Sequence, residues 1–178
     1  MVYLESTMVM HEQYMTEALK EAETALANGE FPVGCVMVSG SQVVCRGRRK
    51  NSCEKNENEI DHAEILTLRS LLADTPDFNC STITVYSTME PCLMCYSAML
   101  LSGIRTFVWG YEDVMGGGMN LPLPQLNTLY AEMKVKLVHS VLRQQSLCLF
   151  QKFFRTYPYL QESLLSQYTL AQPLEETK

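Results

Sequence analysis

The chain has 178 residues, 47% hydrophobic and 19% charged, the make-up of one folded globular domain rather than a disordered segment. No apolar run approaches the ~18–20 residues that span a bilayer, and MVYLESTMVM lacks the basic start and apolar core of a secretion signal. A cytoplasmic location is therefore expected, and the net charge of −6 excludes a uniformly basic nucleic-acid binder without excluding a local basic patch.

In chain order, HEQYMTEALKEAETALANGE (11–30) has helical spacing. Tyr14, Ala18, Ala22 and Ala25 fall near one face, Leu19 and Leu26 widen it, and Asn28-Gly29 supplies a stop. PVGCVMV (32–38) and QVVCRG (42–47) form a hairpin around SGS, and KNSCEKNENEID (50–61) is a polar loop. AEILTLRSLLAD (63–74) returns to helix, STITVYST (81–88) to strand, CLMCYSAMLLSG (92–103) to a helix closed by Gly103, and IRTFVWG (104–110) to strand. The glycines at 116–118 mark a loop, VKLVHS (135–140) is a strand, and LRQQSLCLFQKFFRTY (142–157) is a helix ended by Pro158. YLQESLLSQYTL (159–170) predicts one more helix before a frayed tail. Strands and helices in this order imply a layered α/β domain with one central sheet.

An odd count of seven cysteines without a secretion signal favours reduced thiols over a disulfide framework. Cys92 and Cys95, three apart at a predicted helix start, can point their sulfurs to the same side, and Pro91 suits the first helical turn. A helix N-terminus also favours thiolate charge. His62 stands at another helix start, two residues before Glu64. Three Cys and His ligands with no fourth leave an open position, as in catalytic zinc sites, and a carboxylate beside it can accept a proton from an activated water. Either fragment alone is uninformative: CxxC also serves as a redox pair or half of a zinc knuckle, and Glu64 also suits a positive helix end. Their co-occurrence makes the zinc reading. His139 is assigned to the core or surface, His11 to solvent, and Cys35, Cys45, Cys53, Cys80 and Cys148 to packing.

HAE followed by PCxxC resembles the signature of the zinc-dependent cytidine-deaminase-like superfamily. Within it the chain is most similar to the bacterial tRNA-specific adenosine deaminases, on EALKEAETALANGEFPVGCVMV, Asn51, VYSTMEPCLMC and LCLFQKFFR, over about residues 10–157. The resemblance implies a three-layer α/β/α sandwich around a central mixed sheet of five strands. It also implies one zinc per subunit on His62, Cys92 and Cys95, and a homodimer. Glu64 would carry the proton from water to the purine ring, turning adenosine into inosine at the wobble position of tRNA. Asn51 and the backbone N–H groups of Ala63 and Cys92 would orient the base or the developing charge. Phe31, Val33, Met89 and Phe154 would form apolar walls, though all but Phe154 would be apolar in any such core. The deaminase domain would span 1–157, with a helical extension and tail over 158–178.

Residues 1–30 carry Glu5, Glu12, Glu17, Glu21, Glu23 and Glu30 against Lys20, whereas 133–161 carry Lys134, Lys136, Arg143, Lys152 and Arg155 and no acid. Arg48, Arg49, Lys50, Lys152 and Arg155 are the candidate RNA contacts, or else a solvated charged face. The sequence departs from the tRNA-acting pattern at NEIDHAE, which lacks a proline and a small residue before His62, and at VMGGGMN, which lacks the expected lysine and threonine. These departures keep open a deaminase of a free nucleobase or nucleoside such as guanine, adenine or cytidine. Residues 111–119 and the tail would then wall the pocket. A non-catalytic zinc subunit is a third reading, opposed by the presence of Glu64.

Overall fold

The protein is described by a computed structural model covering residues 2–52, 57–157 and 162–174. Its elements run α1 (Val2–Ala27), β1 (Gly34–Ser39), β2 (Gln42–Arg48), α2 (Ala63–Asp74), β3 (Ile83–Met89), α3 (Leu93–Leu101), β4 (Thr106–Tyr111), α4 (Thr128–Ala131), β5 (Lys136–Val138), α5 (Arg143–Thr156) and α6 (Leu164–Ala171), with 3₁₀ turns at Cys80–Thr82 and Leu123–Gln125. The sheet order is β2-β1-β3-β4-β5. β1 is antiparallel to β2 and β3, while β3, β4 and β5 are parallel. This is the expected mixed five-stranded sheet with helices on both faces.

Side-chain alternation divides the sheet between two cores. Val36, Val38, Tyr86 and Val108 face Tyr14, Met15, Ala18 and Leu19 of α1. Cys35, Met37, Val85, Met89, Phe107 and Tyr111 face the other way, onto Leu68 and Leu71 of α2 and Tyr96 and Met99 of α3. Gly34 lets α1 approach β1, because a Cβ there would lie 2.1 Å from the Ala18 carbonyl oxygen. α5 packs against β4 and α1, and α6 packs on α5.

Several expectations are corrected. α1 begins well before residue 11; Met8, Val9 and Met10 are exposed, so this stretch carries no clean amphipathic pattern. β5 is only three residues long, with Lys136 and Leu137 exposed at the sheet edge. His11 is not solvated: it is buried, and its Nδ1 lies 2.9 Å from the Tyr86 hydroxyl. His139 is exposed, with its ring 5.9 Å from that of Trp109. Cys35 and Cys80 are buried packing residues as expected, but Cys45 is half-buried and Cys148 exposed. Cys53 lies outside the described residues, as do 158–161 and 175–178 of the extension.

Candidate active site

Two helix starts meet at the carboxyl ends of β3 and β4. His62 is the N-cap of α2 and Cys92 the N-cap of α3, both with extended backbone (φ −64°, ψ 149° and φ −68°, ψ 168°). Pro91 therefore precedes the cap instead of lying in the first turn. The antiparallel bridge between Cys92 and Gly117, with the Gly118 N–H donating to the Pro91 carbonyl at 2.9 Å, straps the glycine loop across this turn. A Cβ on Gly118 would lie 2.6 Å from the backbone of Leu93, so only glycine allows that approach.

His62 Nδ1 lies 3.5 Å from both Cys92 Sγ and Cys95 Sγ, and all three donor atoms fall within 4.8 Å of one another. Zinc–sulfur and zinc–nitrogen bonds of ~2.3 and ~2.05 Å at tetrahedral angles require an N···S separation of about 3.5 Å. The donor set fits zinc. Hydrogen bonding from Cys95, outweighing burial and joined by His62, lowers the Cys92 thiol to about 4. The same contact together with burial raises Cys95, so the two sulfurs share a single proton that a metal would displace. On the far side of the imidazole, Nε2 lies 3.7 Å from Glu59 Oε2, a charge contact longer than a hydrogen bond.

Glu64 is 3% exposed. Its Oε1 accepts from the Ser87 hydroxyl at 2.9 Å, and its Oε2 lies 3.6 Å from Cys95 Sγ. Burial raises its pKa against its own backbone N–H, His62 and Ser87. A carboxyl with an elevated pKa beside a metal site suits proton transfer near neutral pH.

These groups open onto a cavity of about 200 Å³. Of the residues singled out by sequence, Phe31, Val33, His62, Ala63, Glu64, Met89, Cys92 and Arg49 line it. Cys95 stays behind the wall in the donor set. Asn51 does not line the cavity: it adopts φ 55°, and its Nδ2 donates to Asp61 Oδ2 at 2.6 Å. Phe154 is buried behind Phe31, with ring centroids 5.8 Å apart. Arg48 pairs with Glu21 of α1 at 2.9 Å, and Lys50, Lys152 and Arg155 are exposed. Arg49 instead is 3% exposed; its Nη2 meets Glu59 Oε2 at 3.2 Å, and its Nη1 has no hydrogen-bond partner among the described residues.

Sequence reasoning missed Glu59 and Glu90 as cavity residues, and anticipated Asp113, Met115, Gly116 and Leu165 only as parts of the 111–119 loop and the tail. Glu90 had a signal in its place beside Pro91; its carboxylate accepts the N–H groups of Asp113 and Met119 at 3.3 and 3.2 Å. Leu165 arrives from α6, the tail helix that the free-base reading set against the pocket. That helix is fastened by Gln151 Nε2, which donates to the carbonyls of Thr169 (3.0 Å) and Gln172 (2.7 Å). Tyr111 also donates to Thr169 Oγ1 at 3.1 Å, and Tyr168 to Glu112 at 2.8 Å.

Comparison with known proteins agrees with this geometry. Residues 8–111 match the cytidine and deoxycytidylate deaminase zinc-binding region. The chain is 32% identical to the tRNA-specific adenosine deaminase of Bacillus subtilis (strain 168), covering 83% of this chain and 91% of that one. It is 31% identical to the protein of that name from Streptococcus pyogenes serotype M1, covering 80% and 82%. A structure from a study of A-to-I editing by tRNA:A34 deaminases superposes with TM-score 0.63 at 23% identity, over 77% of this chain and 99% of that one. The guanine deaminase of Nitrosomonas europaea gives TM-score 0.64 at 19% identity, over 80% and 83%. These two share the fold. With a zinc-fitting donor set, a buried glutamate beside it and a family match over more than half its length, the chain belongs to the cytidine and deoxycytidylate deaminase zinc-binding family.

Proposed function

We propose that the protein is a zinc-dependent hydrolase that deaminates adenosine to inosine within tRNA, at the wobble position of an anticodon. The observation that carries the chemistry is Glu64, buried against the His62, Cys92 and Cys95 donors at the base of a cavity. The tRNA assignment is supported by the relatives named tRNA-specific adenosine deaminase.

His62, Cys92 and Cys95 would hold zinc, which when bound supplies Lewis-acid activation of water. The Ser87 hydrogen bond fixes Oε1 of Glu64, leaving Oε2 on the donor side to receive the proton of the attacking water. Glu64 delivers that proton to N1 of the purine, and a second transfer lets ammonia leave C6. Water and adenosine are consumed; inosine and ammonia are formed. The first-turn N–H groups of α2 and α3, at Ala63 and next to Cys92, favour developing negative charge. Phe31, Val33 and Met89 enclose the base, Asn51 braces the loop before His62 through Asp61, and Phe154 supports Phe31 from behind.

Lys50, Lys152 and Arg155 remain the candidate contacts to the RNA backbone, since Arg48 is paired with Glu21 and Arg49 is buried. Residues 1–157 would form the deaminase domain and 158–178 its extension. The exposed Leu93 and Leu101 of α3 are an apolar face that a second copy would cover in a cytoplasmic homodimer.

Leu165, Met115 and Gly116 close the cavity on the side of α6 and the glycine loop. That observation favours a second reading, deamination of a free base such as guanine or adenine. Ammonia release separates the two, measured on a tRNA with adenosine at the wobble position, free adenosine, adenine, guanine and cytidine. We expect inosine in the tRNA alone, weaker at high salt, and roughly 10²- to 10⁴-fold slower with Glu64→Gln while zinc content is retained. Turnover of a free base with the tRNA untouched refutes the tRNA assignment.

A further inference from the structure

Arg49 is placed where a guanidinium is rarely found. An unpaired buried donor costs about 1–3 kcal/mol, so buried arginines usually meet acceptors on every side. Here Glu59 holds Nη2 at 3.2 Å, while Nη1 is shielded from water and meets no acceptor among the described residues. The side chain lines the same cavity as His62 and Glu64, and no other lysine or arginine among the described residues does. β2 explains the placement. Arg46 and Arg48 turn toward Glu17 and Glu21 of α1, whereas Cys45 and Gly47 turn toward Thr67 of α2. Continuing that alternation one residue past the strand carries Arg49 to the α2 side, where the cavity lies.

We infer that Arg49 reads the substrate base directly: its guanidinium turns about the Glu59 contact so that Nη1, shielded in this structure, donates to a ring lone pair of the purine, N3 or N7. The inference rests on the deaminase reading above, in which Glu64 occupies N1. A phosphate is disfavoured as the acceptor: Glu59, Glu64, Glu90 and Asp113 also line the cavity, and like charges repel an anion there. A neutral lone pair meets no such repulsion. Guanidinium has donors and no acceptor, so the edge facing Arg49 must present a lone pair and not an exocyclic amine. Arg49 is thus a specificity-determining residue, with Glu59 positioning it while also facing His62.

The test uses the zinc-loaded full chain with anticodon stem-loops carrying adenosine, 3-deazaadenosine or 7-deazaadenosine at the wobble position. Wild type, Arg49→Met and Arg49→Lys are compared for kcat, KM and zinc content. On adenosine, Arg49→Met should lose roughly 10- to 100-fold in kcat/KM, the worth of one charged buried hydrogen bond, with zinc retained. Wild type should lose the same factor on one deaza analogue and nothing on the other, and variant and analogue combined should lose no more than either alone. Arg49→Lys should recover part of the loss; it also serves if Arg49→Met does not fold. An equal loss on all three substrates makes Arg49 merely structural and overturns the inference, as does wild-type indifference to both analogues. In parallel, thermal-shift titrations use free adenine and its 3-deaza and 7-deaza forms. Inert stem-loops with Arg49-dependent, analogue-sensitive adenine binding would sink the RNA reading and leave this inference standing. Inert stem-loops with no adenine binding overturn both.

Discussion

Replacing Gln151 with methionine should release α6 from the domain while leaving the sheet intact. Gln151 is 1% exposed, and its Nε2 donates to two carbonyls at the end of α6, those of Thr169 and Gln172. Methionine keeps the volume and removes both hydrogen bonds; the Thr169 carbonyl keeps the Gln172 N–H at 3.3 Å, while the Gln172 carbonyl loses the Nε2 donor. At about 0.5–1.5 kcal/mol for the lost bond to Thr169 and about 1–3 kcal/mol for the stranded Gln172 carbonyl, docking should weaken by roughly 2–4 kcal/mol. An eight-residue helix has almost no stability by itself, so undocking and unwinding should be one event. Native-state hydrogen exchange reads it: the amides at the end of α6 should exchange roughly 30- to 1,000-fold faster, the stated free energies converted at ~1.36 kcal/mol per tenfold. Protection in β3 and β4 should be unchanged. If the α6 amides exchange at the wild-type rate, the Tyr111, Tyr168 and Leu165 contacts fasten the helix, and the glutamine clamp is not needed.

The remaining expectations concern charge. In zinc-free protein the Cys92 thiol is lowered to about 4 by Cys95 and His62. Its alkylation rate should therefore stay nearly flat from about pH 6 to 8, where an unperturbed thiol of pKa ~8.5 gains about tenfold per unit; added zinc should suppress it. A tenfold rise per unit at Cys92 would refute the shared-proton description. At α6, burial opposes ionisation of Glu112, but hydrogen bonds from Arg143, its own backbone and Tyr168 outweigh it and lower its pKa. The resulting stability is present above the unfolded value of ~4.3 and is lost as pH falls through the lower folded value. Exchange protection of α6 should thus decline only below about pH 4.3, and should become pH-independent there in Glu112→Gln.

The donor set was legible because its chemistry is local: His62, Cys92 and Cys95 each sit at or beside a helix start marked by a polar loop or a proline. The strands flanking Gly40 were equally plain, since β1 alternates between two buried faces. What the sequence reading left out was the direction of side chains past the end of a strand. Within RRKN, Asn51 had the family's chemistry to recommend it, yet Arg49 is the one the pleat of β2 turns into the cavity. Counting the alternation on from Cys45 and Gly47 would have found it. The tail was expected as a pocket wall under the free-base reading, but which of its residues arrives lay beyond any such count, because Leu165 reaches the cavity only through the docking of α6, a contact made by tertiary packing alone.

The strap between the glycine loop and the metal turn has an evolutionary consequence. A side chain at Gly117 would meet the Asp113 carbonyl and Glu90 at 2.6 Å, and one at Gly118 would meet Leu93 at the same distance. Mutation at either position therefore disturbs the cysteine-bearing turn before it can adjust the pocket. Val114 and Met115, both exposed at the loop's tip, are under no such constraint, and Met115 already reaches the cavity. Drift toward new substrates has its open route there, and a directed-evolution library aimed at specificity belongs at 114 and 115, with the three glycines held fixed.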